Sequence, residues 1–476
     1  MRPIALLMLA VCAATLAACD FAPKYHPPSI VIPASYKEAG PWKQARPADT
    51  EPRGPWWEEY RDSTLDGLEA QVDGANPDLQ VASANYAQAR AFAAEAESNL
   101  FPTLTGLASL SGNKQSLERP LRSAGQPTFF GANTVGLQAG YEVDLWGAVR
   151  DEVAYGKALA QSSAANLESI RLILHAELAN DYVLLRGFDA QTKLLNDTVV
   201  AYTKALELTQ DRAAGFIASG LDVSRAESQV NTAKALVSDV AARRAGIEHA
   251  IARLVGQTPA AVSLPPDLTP IPLPEVPPGV PSVLLLRRPD VAAAERQAAA
   301  ANEQIGVAEA AFYPTFTIGL SGGIQSTGLN LLTLPNSFWS IGPAISLPIF
   351  NGGLLNAQLA GAKAQFDAAA GNYKGVVLDA IQEVEDNLAD LRWLAQESKD
   401  EDAAVAAAQK TLELSMNLYR DGAVSYLEVV TAQEEALSAE RLALNLVTRQ
   451  LTASVGLVRA LGGGWSAASL PDAKQL

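Results

Sequence analysis

Val135-Gly136-Leu137-Gln138-Ala139-Gly140-Tyr141-Glu142-Val143-Asp144-Leu145 alternates apolar and polar residues without a break. A period of two puts every apolar side chain on one face of a β-strand and Gly, Gln, Glu and Asp on the other. The pattern recurs where Phe316, Ile318, Leu320 and Ile324 alternate with Thr315, Thr317, Gly319, Ser321 and Gly323. It recurs again where Trp339, Ile341, Ile345, Leu347 and Ile349 alternate with Ser340, Gly342 and Ser346, and Leu104 to Leu110 is a weaker fourth member. Strands of about ten residues, apolar on one side and small or polar on the other, match a membrane β-barrel with lipid outside and water inside. No charged residue occurs from Ala310 to Ala362, yet Pro314, Pro335, Pro343, Pro348 and many glycines exclude a membrane helix there.

Four strands do not close a barrel. An open sheet edge in lipid leaves backbone groups unpaired at several kcal/mol each, so the strands must be completed by further copies of the chain. Single-chain barrels of this kind start at about eight strands, so a dimer or a trimer is the natural closure.

Between the strand regions the chain reads as very long helix. Proline is concentrated in two clusters, eight from Pro23 to Pro55 and ten from Pro259 to Pro289, and is missing between Pro127 and Pro259 and between Pro348 and Pro471. Proline-free stretches of that length permit uninterrupted helices. A single helix from Ala148 to Arg212 would extend roughly 100 Å at about 1.5 Å per residue. Apolar residues fall at alternating spacings of three and four, as in Ile381, Val384, Leu388 and Leu391, in Ile247, Ile251 and Leu254, and in Leu444, Val447, Leu451, Val455 and Val458. This is a coiled-coil seam, and the many intervening alanines allow close helix approach.

The whole pattern is written twice. Asn76-Pro77-Asp78-Leu79 leads to Phe101-Pro102-Thr103 as Arg288-Pro289-Asp290-Val291 leads to Tyr313-Pro314-Thr315, at an offset of 212 between Pro77 and Pro289. From Gly147 and Gly353 onward the offset is 206, which relates Glu177 to Glu383, Arg186 to Arg392, Leu206-Glu207-Leu208 to Leu412-Glu413-Leu414 and Gly256 to Gly462. A period near 200 residues is too long for a solenoid and marks a duplicated subdomain.

The chain opens with one arginine, an apolar run from Ile4 to Ala17 and small residues before Cys19, the form of a secretory signal. Leu16-Ala17-Ala18-Cys19 resembles a bacterial lipobox, so the expectation is cleavage before Cys19 and a covalent lipid on it. Cys12 is the only other cysteine, so no disulfide framework competes for Cys19. A net charge of −16 and a pI near 4.8 exclude a nucleic-acid partner. Catalysis finds no footing: His26, His175 and His249 are scattered, no metal-ligand cluster or phosphate loop is present, and the carboxylates read as solvated helix faces. Gly462-Gly463-Gly464 follows a helical stripe and reads as a helix stop.

Trp56-Trp57 with Tyr60, Asp62 and Leu65, then Tyr141 to Gly147, Leu286-Arg287-Arg288-Pro289-Asp290-Val291, Ile305-Gly306-Val307-Ala308, Phe312-Tyr313-Pro314 and Ala460-Leu461-Gly462-Gly463-Gly464-Trp465 together resemble the TolC-type outer-membrane efflux factors. The branch resembled is the lipoprotein one that serves drug-efflux pumps, over nearly the whole mature chain. The resemblance implies a mainly α fold with a membrane β-barrel. In it a duplicated long-helix coiled-coil tunnel carries four strands per chain, and a homotrimer forms a 12-stranded barrel.

The implied organisation is a signal peptide (1–18), a lipidated N-terminal segment and equatorial start (19–75), a first repeat (76–257), a Pro-rich equatorial linker (258–287), a second repeat (288–462) and a C-terminal tail (463–476). The outer loops of the hairpins are expected near Asn113 to Phe130 and Gln325 to Ser337. The partners implied are a periplasmic adaptor protein, an inner-membrane RND-type transporter and outer-membrane lipid, with no cofactor beyond the lipid on Cys19.

Two helical turnarounds follow Arg212 and Tyr419, where Gly215 and Gly422 are expected to adopt positive φ. Counted from glycine to leucine, the first turn carries one extra residue, so the two tips are expected to differ. The resemblance makes Gly215, Ser219, Gly422 and Ser425 adaptor contacts, and Asp222, Tyr419, Leu427, Glu428 and Thr431 the periplasmic gate. Thr431 stands where a gate aspartate is usual, and Asp20 after the lipidated cysteine is unusual for an outer-membrane protein. Two other readings compete with a passive exit duct for small molecules: the outer-membrane part of a protein secretion system, and a lipid-anchored coiled-coil spacer that transports nothing.

Overall fold

The computed structural model describes residues 21–38, 54–120, 123, 125–274, 276, 281, 284–328 and 334–476. Cys19, Asp20 and the expected signal segment lie outside the described residues.

The two copies fold alike, helix by helix. Helix α1 (Ser63–Ala75) precedes copy one, which comprises α2 (Pro77–Ser98), strands β1 (Thr103–Ser109), β2 (Gly112–Lys114), β3 (Phe129–Gly131) and β4 (Asn133–Glu142), then α3 (Ala148–Ala214) and α4 (Gly220–Leu254). Copy two comprises α5 (Pro289–Ala310), β5 (Thr315–Ser326), β6 (Ser337–Ser346), α6 (Leu354–Arg420) and α7 (Tyr426–Ala460). Copy-related helices have equal lengths: 22 residues for α2 and α5, 67 for α3 and α6, 35 for α4 and α7.

Local chemistry sets the boundaries. Asp62 caps α1 by accepting from Thr64 N and Leu65 N, and Asn76 caps α2 ahead of Pro77 at the first helical position. Gly147 and Gly353 precede the long helices with φ of 85° and 90°, a left-handed conformation that suits glycine. At the far ends of α4 and α7, Gly256 and Gly462 again have positive φ, and a Cβ on either would run into a carbonyl oxygen, that of Ala75 or Arg287. The same junction is tied by side chains in both copies. Asn76 Nδ2 donates to Leu254 O at 2.8 Å, and Arg288 Nη1 donates to the copy-related Ala460 O at 3.1 Å.

The strands form one antiparallel sheet in the order β1-β4-β5-β6, with β2 and β3 as a separate short ribbon. Register puts Leu104 beside Ala139, Ala139 beside Leu320, and Leu320 beside Ile341, so the apolar stripes of all four strands share one face. That face is exposed in the single chain, including Leu137, Leu320, Trp339 and Ile345. The opposite face carries Thr105, Gln138, Ser321 and Ser340. Gly136 pairs with Gly323 at the join between the copies, and a Cβ on Gly136 would lie 2.7 Å from Gly322 O, so this close approach depends on glycine. The strands end earlier than the alternation suggests, at Glu142 and Ser346. Beyond Glu142 only the Val143 N–H continues the ladder, to Phe316 O at 2.8 Å. The outer edges, β1 and β6, have no partner strand along the sheet among the described residues.

Helix α3 packs against α2, α4, α5 and α7, whereas α6 packs against α5 and α7. The largest core lies around the middle of these helices, where Tyr36, Trp56, Tyr60, Leu65 and Val72 pack on Leu178, Tyr182, Ile251, Val384, Leu388 and Val455. The seams therefore carry a substantial equatorial core in addition to helix pairing. Val447 is an exception to the expected stripe, being half exposed while Leu446 is buried in its place. The described chain begins on the same frame: Phe21 stacks on Tyr313 with centroids 4.5 Å apart, and the neighbouring Trp146 donates to Pro314 O at 2.7 Å. Among the described residues no helix is long and apolar enough to cross a membrane.

Replacing Gly462 with Ala adds a side chain both at positive φ and against the Arg287 carbonyl. The expected loss is about 1–3 kcal/mol, read as a lower thermal midpoint of the detergent-extracted protein. Gly246→Ala, at a helical position with open space around it, should leave the midpoint unlowered.

Candidate functional site at the helical tips

The two turnarounds share one backbone pattern. In the first, the N–H groups of Gly215, Phe216 and Ile217 bond the carbonyls of Asp211, Ala213 and Arg212; in the second, those of Asp421, Gly422 and Ala423 bond Asn417, Tyr419 and Leu418. The offset is 206 at every donor and acceptor, so there is no extra residue and the two turns are equivalent in backbone. What differs is the side chain at the positive-φ position. Gly422 has φ 79°, as expected, but Gly215 has φ −79° and the left-handed residue of the first turn is Phe216 at φ 61°. Phenylalanine there is strained, and its side chain is 99% exposed.

Ser219 and Asp222 form a reciprocal capping box at the start of α4: Asp222 N–H donates to Ser219 Oγ, while Ser219 N–H and Oγ–H donate to Asp222 Oδ2 at 3.1 and 2.8 Å. The Asp222 carboxylate is thus turned back onto its own helix. Ser425 makes no such cap. On α7, Leu427, Glu428 and Thr431 share an exposed face, with Thr431 Oγ1 donating to Leu427 O at 3.1 Å, while Tyr426 and Val429 are buried on the other side.

Tyr419 does not join that exposed face. Its ring is buried under the Arg212 guanidinium, 4.7 Å from it, and meets Tyr426 edge-on at 5.2 Å. Arg212 Nη1 also donates to Arg420 O at 2.9 Å, and Tyr202 donates to Gln433 O at 3.0 Å. These contacts clamp the tip of copy one to the tip of copy two. Of the clamp residues only Tyr419 was expected at this site, as part of the gate; the sequence signal of the clamp is the pairing of tyrosines and an arginine at positions whose copy-related counterparts, Ala213, Gly220 and Leu418, are unlike them.

The histidines are not a catalytic set. His26 and His249 are exposed and far apart in the chain, and His175 is buried with Nδ1 2.6 Å from Glu69 Oε2 and its ring stacked on Trp57 at 4.5 Å. Not all carboxylates are solvated, contrary to expectation: Glu69 is fully buried, and Asp189 is buried between Arg186 and Arg244. Burial pushes Glu69 up to about 7 from 4.5, opposed by its hydrogen bond to His175. Among the described residues no group of three or more His, Cys, Asp or Glu side chains is placed to hold a metal ion.

The outer membrane efflux protein family matches residues 70–257 and 280–463. The chain belongs to this family. As an outer membrane efflux protein it is similar to the solvent efflux pump outer membrane protein SrpC of Pseudomonas putida, 33% identical over 95% of this chain and 96% of that one. It is also similar to the outer membrane protein OprJ of Pseudomonas aeruginosa, 31% identical over 95% of this chain and 94% of that one. Among solved structures, the outer-membrane channel OprN superposes with a TM-score of 0.85 at 30% identity, covering 94% of this chain and all of that one. The protein is therefore an outer-membrane efflux channel component and not an enzyme, and a sheet open at both edges is what a barrel assembled from several chains requires.

Two outcomes test this geometry. Phe216→Gly removes the left-handed strain and is expected to stabilise the tip by about 0.5–1 kcal/mol, seen as slower amide exchange around residues 211–219. For Glu69 the folded pKa lies above the unfolded one, so its contribution to stability is fully present below about 4.5 and is lost as pH rises through about 7. Glu69→Gln should flatten the fall in thermal midpoint across that window while leaving the midpoint at acidic pH nearly unchanged.

Proposed function

We propose that three copies of this chain pool their four-stranded sheets into one 12-stranded outer-membrane barrel, with the long helices continuing it as a tunnel through the periplasm. The observation that carries this reading is the sheet itself: one continuous apolar face, one Thr/Ser/Gly/Gln face, and two unpaired edges, mounted directly on helices of 67 residues. At about 1.5 Å per residue each helix reaches roughly 100 Å, far beyond the span of a lipid bilayer. A coiled-coil spacer needs no such sheet.

The duct is passive. It serves a tripartite pump in which an inner-membrane RND-type transporter supplies the energy and a periplasmic adaptor links the two. The adaptor docks on the tips that carry Gly215, Ser219, Gly422 and Ser425. The name of one relative speaks of solvent efflux, and the cargo read for this chain is small molecules. Acylation of Cys19 would add a second membrane attachment beside the barrel.

The gate reading is sharpened by the tip geometry. Leu427, Glu428 and Thr431 present one exposed face and are the residues available to narrow a lumen, while Asp222 is held in its capping box and Tyr419 in the clamp. Those two act by holding the tips in place. A threefold ring of Glu428 carboxylates in a narrow opening favours cations. In planar bilayers, Glu428→Gln is expected to lower the cation preference of the reconstituted pore while preserving a stable conductance. Unchanged selectivity would remove Glu428 from the gate.

A further inference from the structure

Helix α1 docks on α3 through a polar seam where the second copy is apolar. Asp62 at the N-cap of α1, Glu69 and Asp73 step along the chain by seven and then four residues, and their partners on α3, Tyr182, His175 and Arg171, step back by seven and then four. Residues so spaced lie along one face of each helix, so the two run antiparallel with every rung paired. Tyr182 donates to Asp62 Oδ2 at 2.7 Å, His175 Nδ1 lies 2.6 Å from Glu69 Oε2, and Arg171 Nε donates to Asp73 Oδ1 at 2.9 Å. At the offset of 206 the three α3 positions become Leu388, Ile381 and Val377, which pack in the apolar core. The fold can therefore fill this place with hydrocarbon, and the polar rungs of the first copy are an addition to it.

The middle rung is the enclosed one. Glu69 is fully buried and the His175 side chain is 4% exposed, whereas Asp73 is half exposed. The Trp57 ring lies on the imidazole at 4.5 Å and 18°, and Tyr60, at the end of the same turn of 3₁₀ helix (Trp56–Tyr60), is tied to Ser454 Oγ of α7 at 2.8 Å. The charges facing the pair are mostly negative. Asp66 and Asp73 stand on α1 with Glu69, and each adds its field to it. His175 Nε2 faces Asp73 Oδ1 at 3.6 Å. Arg171, the cation of the seam, is bound to both Asp73 and Glu168, and Glu58 and Glu59 of the turn are exposed. Among the described residues Glu69 Oε1 has no hydrogen-bond partner.

The geometry points to a proton-operated latch: with Glu69 protonated and donating to His175, α1 is locked on α3, and loss of that proton as pH rises loosens α1 and the Trp56–Tyr60 turn from the long helix. Protonated, the carboxyl is a neutral, hydrogen-bonded group that a buried place tolerates. Ionised, it is an anion away from water with two more carboxylates on its own helix. Burial holds it up at about 7 in the folded chain, against 4.5 for the free group, so the closed latch binds the proton more tightly than the open one. The contribution of the latch is therefore fully present below about 4.5 and is lost as pH rises through about 7. Helix α3 runs unbroken from the sheet to the tip turn, and the latch closes on it between the two. Its contacts with α4, α5 and α7 do not involve α1, so opening uncovers the α1-facing side of α3 without parting the two copies.

The test is amide exchange of the full chain in detergent, from about pH 5 to about pH 8, resolved by peptide and divided by the intrinsic exchange rate at each pH. Protection of residues 63–75 is expected to fall about tenfold or more across that range while α2 and α5 keep theirs. Glu69→Gln, which keeps a neutral hydrogen-bonding side chain, should make the protection of α1 level with pH. Glu69→Leu combined with His175→Ile, the latter the residue of the second copy at that place, should do the same. If these variants fail to fold, the comparison of α1 with α2 and α5 in the unaltered chain decides by itself. Protection of α1 that does not fall, or that falls in step with α2 and α5, overturns the latch, and so does a fall of the same size in Glu69→Gln.

Discussion

A strand edge in hydrocarbon has no water to satisfy it, and the rest of this molecule is arranged around that constraint. Four strands give enough sheet to establish an inner and an outer face but leave β1 and β6 with open ladders among the described residues. The chain cannot complete its membrane part alone, so assembly and insertion are one problem. The glycine pair Gly136 and Gly323 shows how close strands must come where one copy meets the other.

Below the sheet the same duplication governs the helices. Equal helix lengths in the two copies keep both turnarounds at one level, and the matching junctions of Asn76 with Leu254 and of Arg288 with Ala460 hold the equator in step. Arg288 also reaches Glu383 at 2.7 Å and Asp290 at 2.6 Å, whereas Asn76 is too short to engage the copy-related Glu177. Duplication preserved the backbone and left the charges free to diverge.

Much of this was legible in the chain. A period of two is visible in Val135 to Leu145 because one face meets lipid and the other water, and the long helices are visible because proline is missing from them. The details that were not legible depend on three-dimensional neighbours. Counting from glycine to leucine misaligned the tips, because Gly215 looks like the counterpart of Gly422 while the backbone places Phe216 there. Glu69 looks like any helix carboxylate until its burial against His175, itself stacked on Trp57, is seen. The place of Tyr419 at the helical tip is visible by position, but the packing of its ring under Arg212, which is distant in sequence, is not. The family resemblance supplied the function; it could not supply which side chains the two halves use to hold each other.

Phe216 and Gly422 occupy the same place in the two turns, one a fully bared ring and the other no side chain at all. In the trimer proposed above, the lower rim would therefore alternate, six stations of two textures. A docking protein with six identical arms would find only every second station alike, so the natural complement is one whose subunits come in three pairs, or one that grips the smooth stations and merely accommodates the aromatic ones.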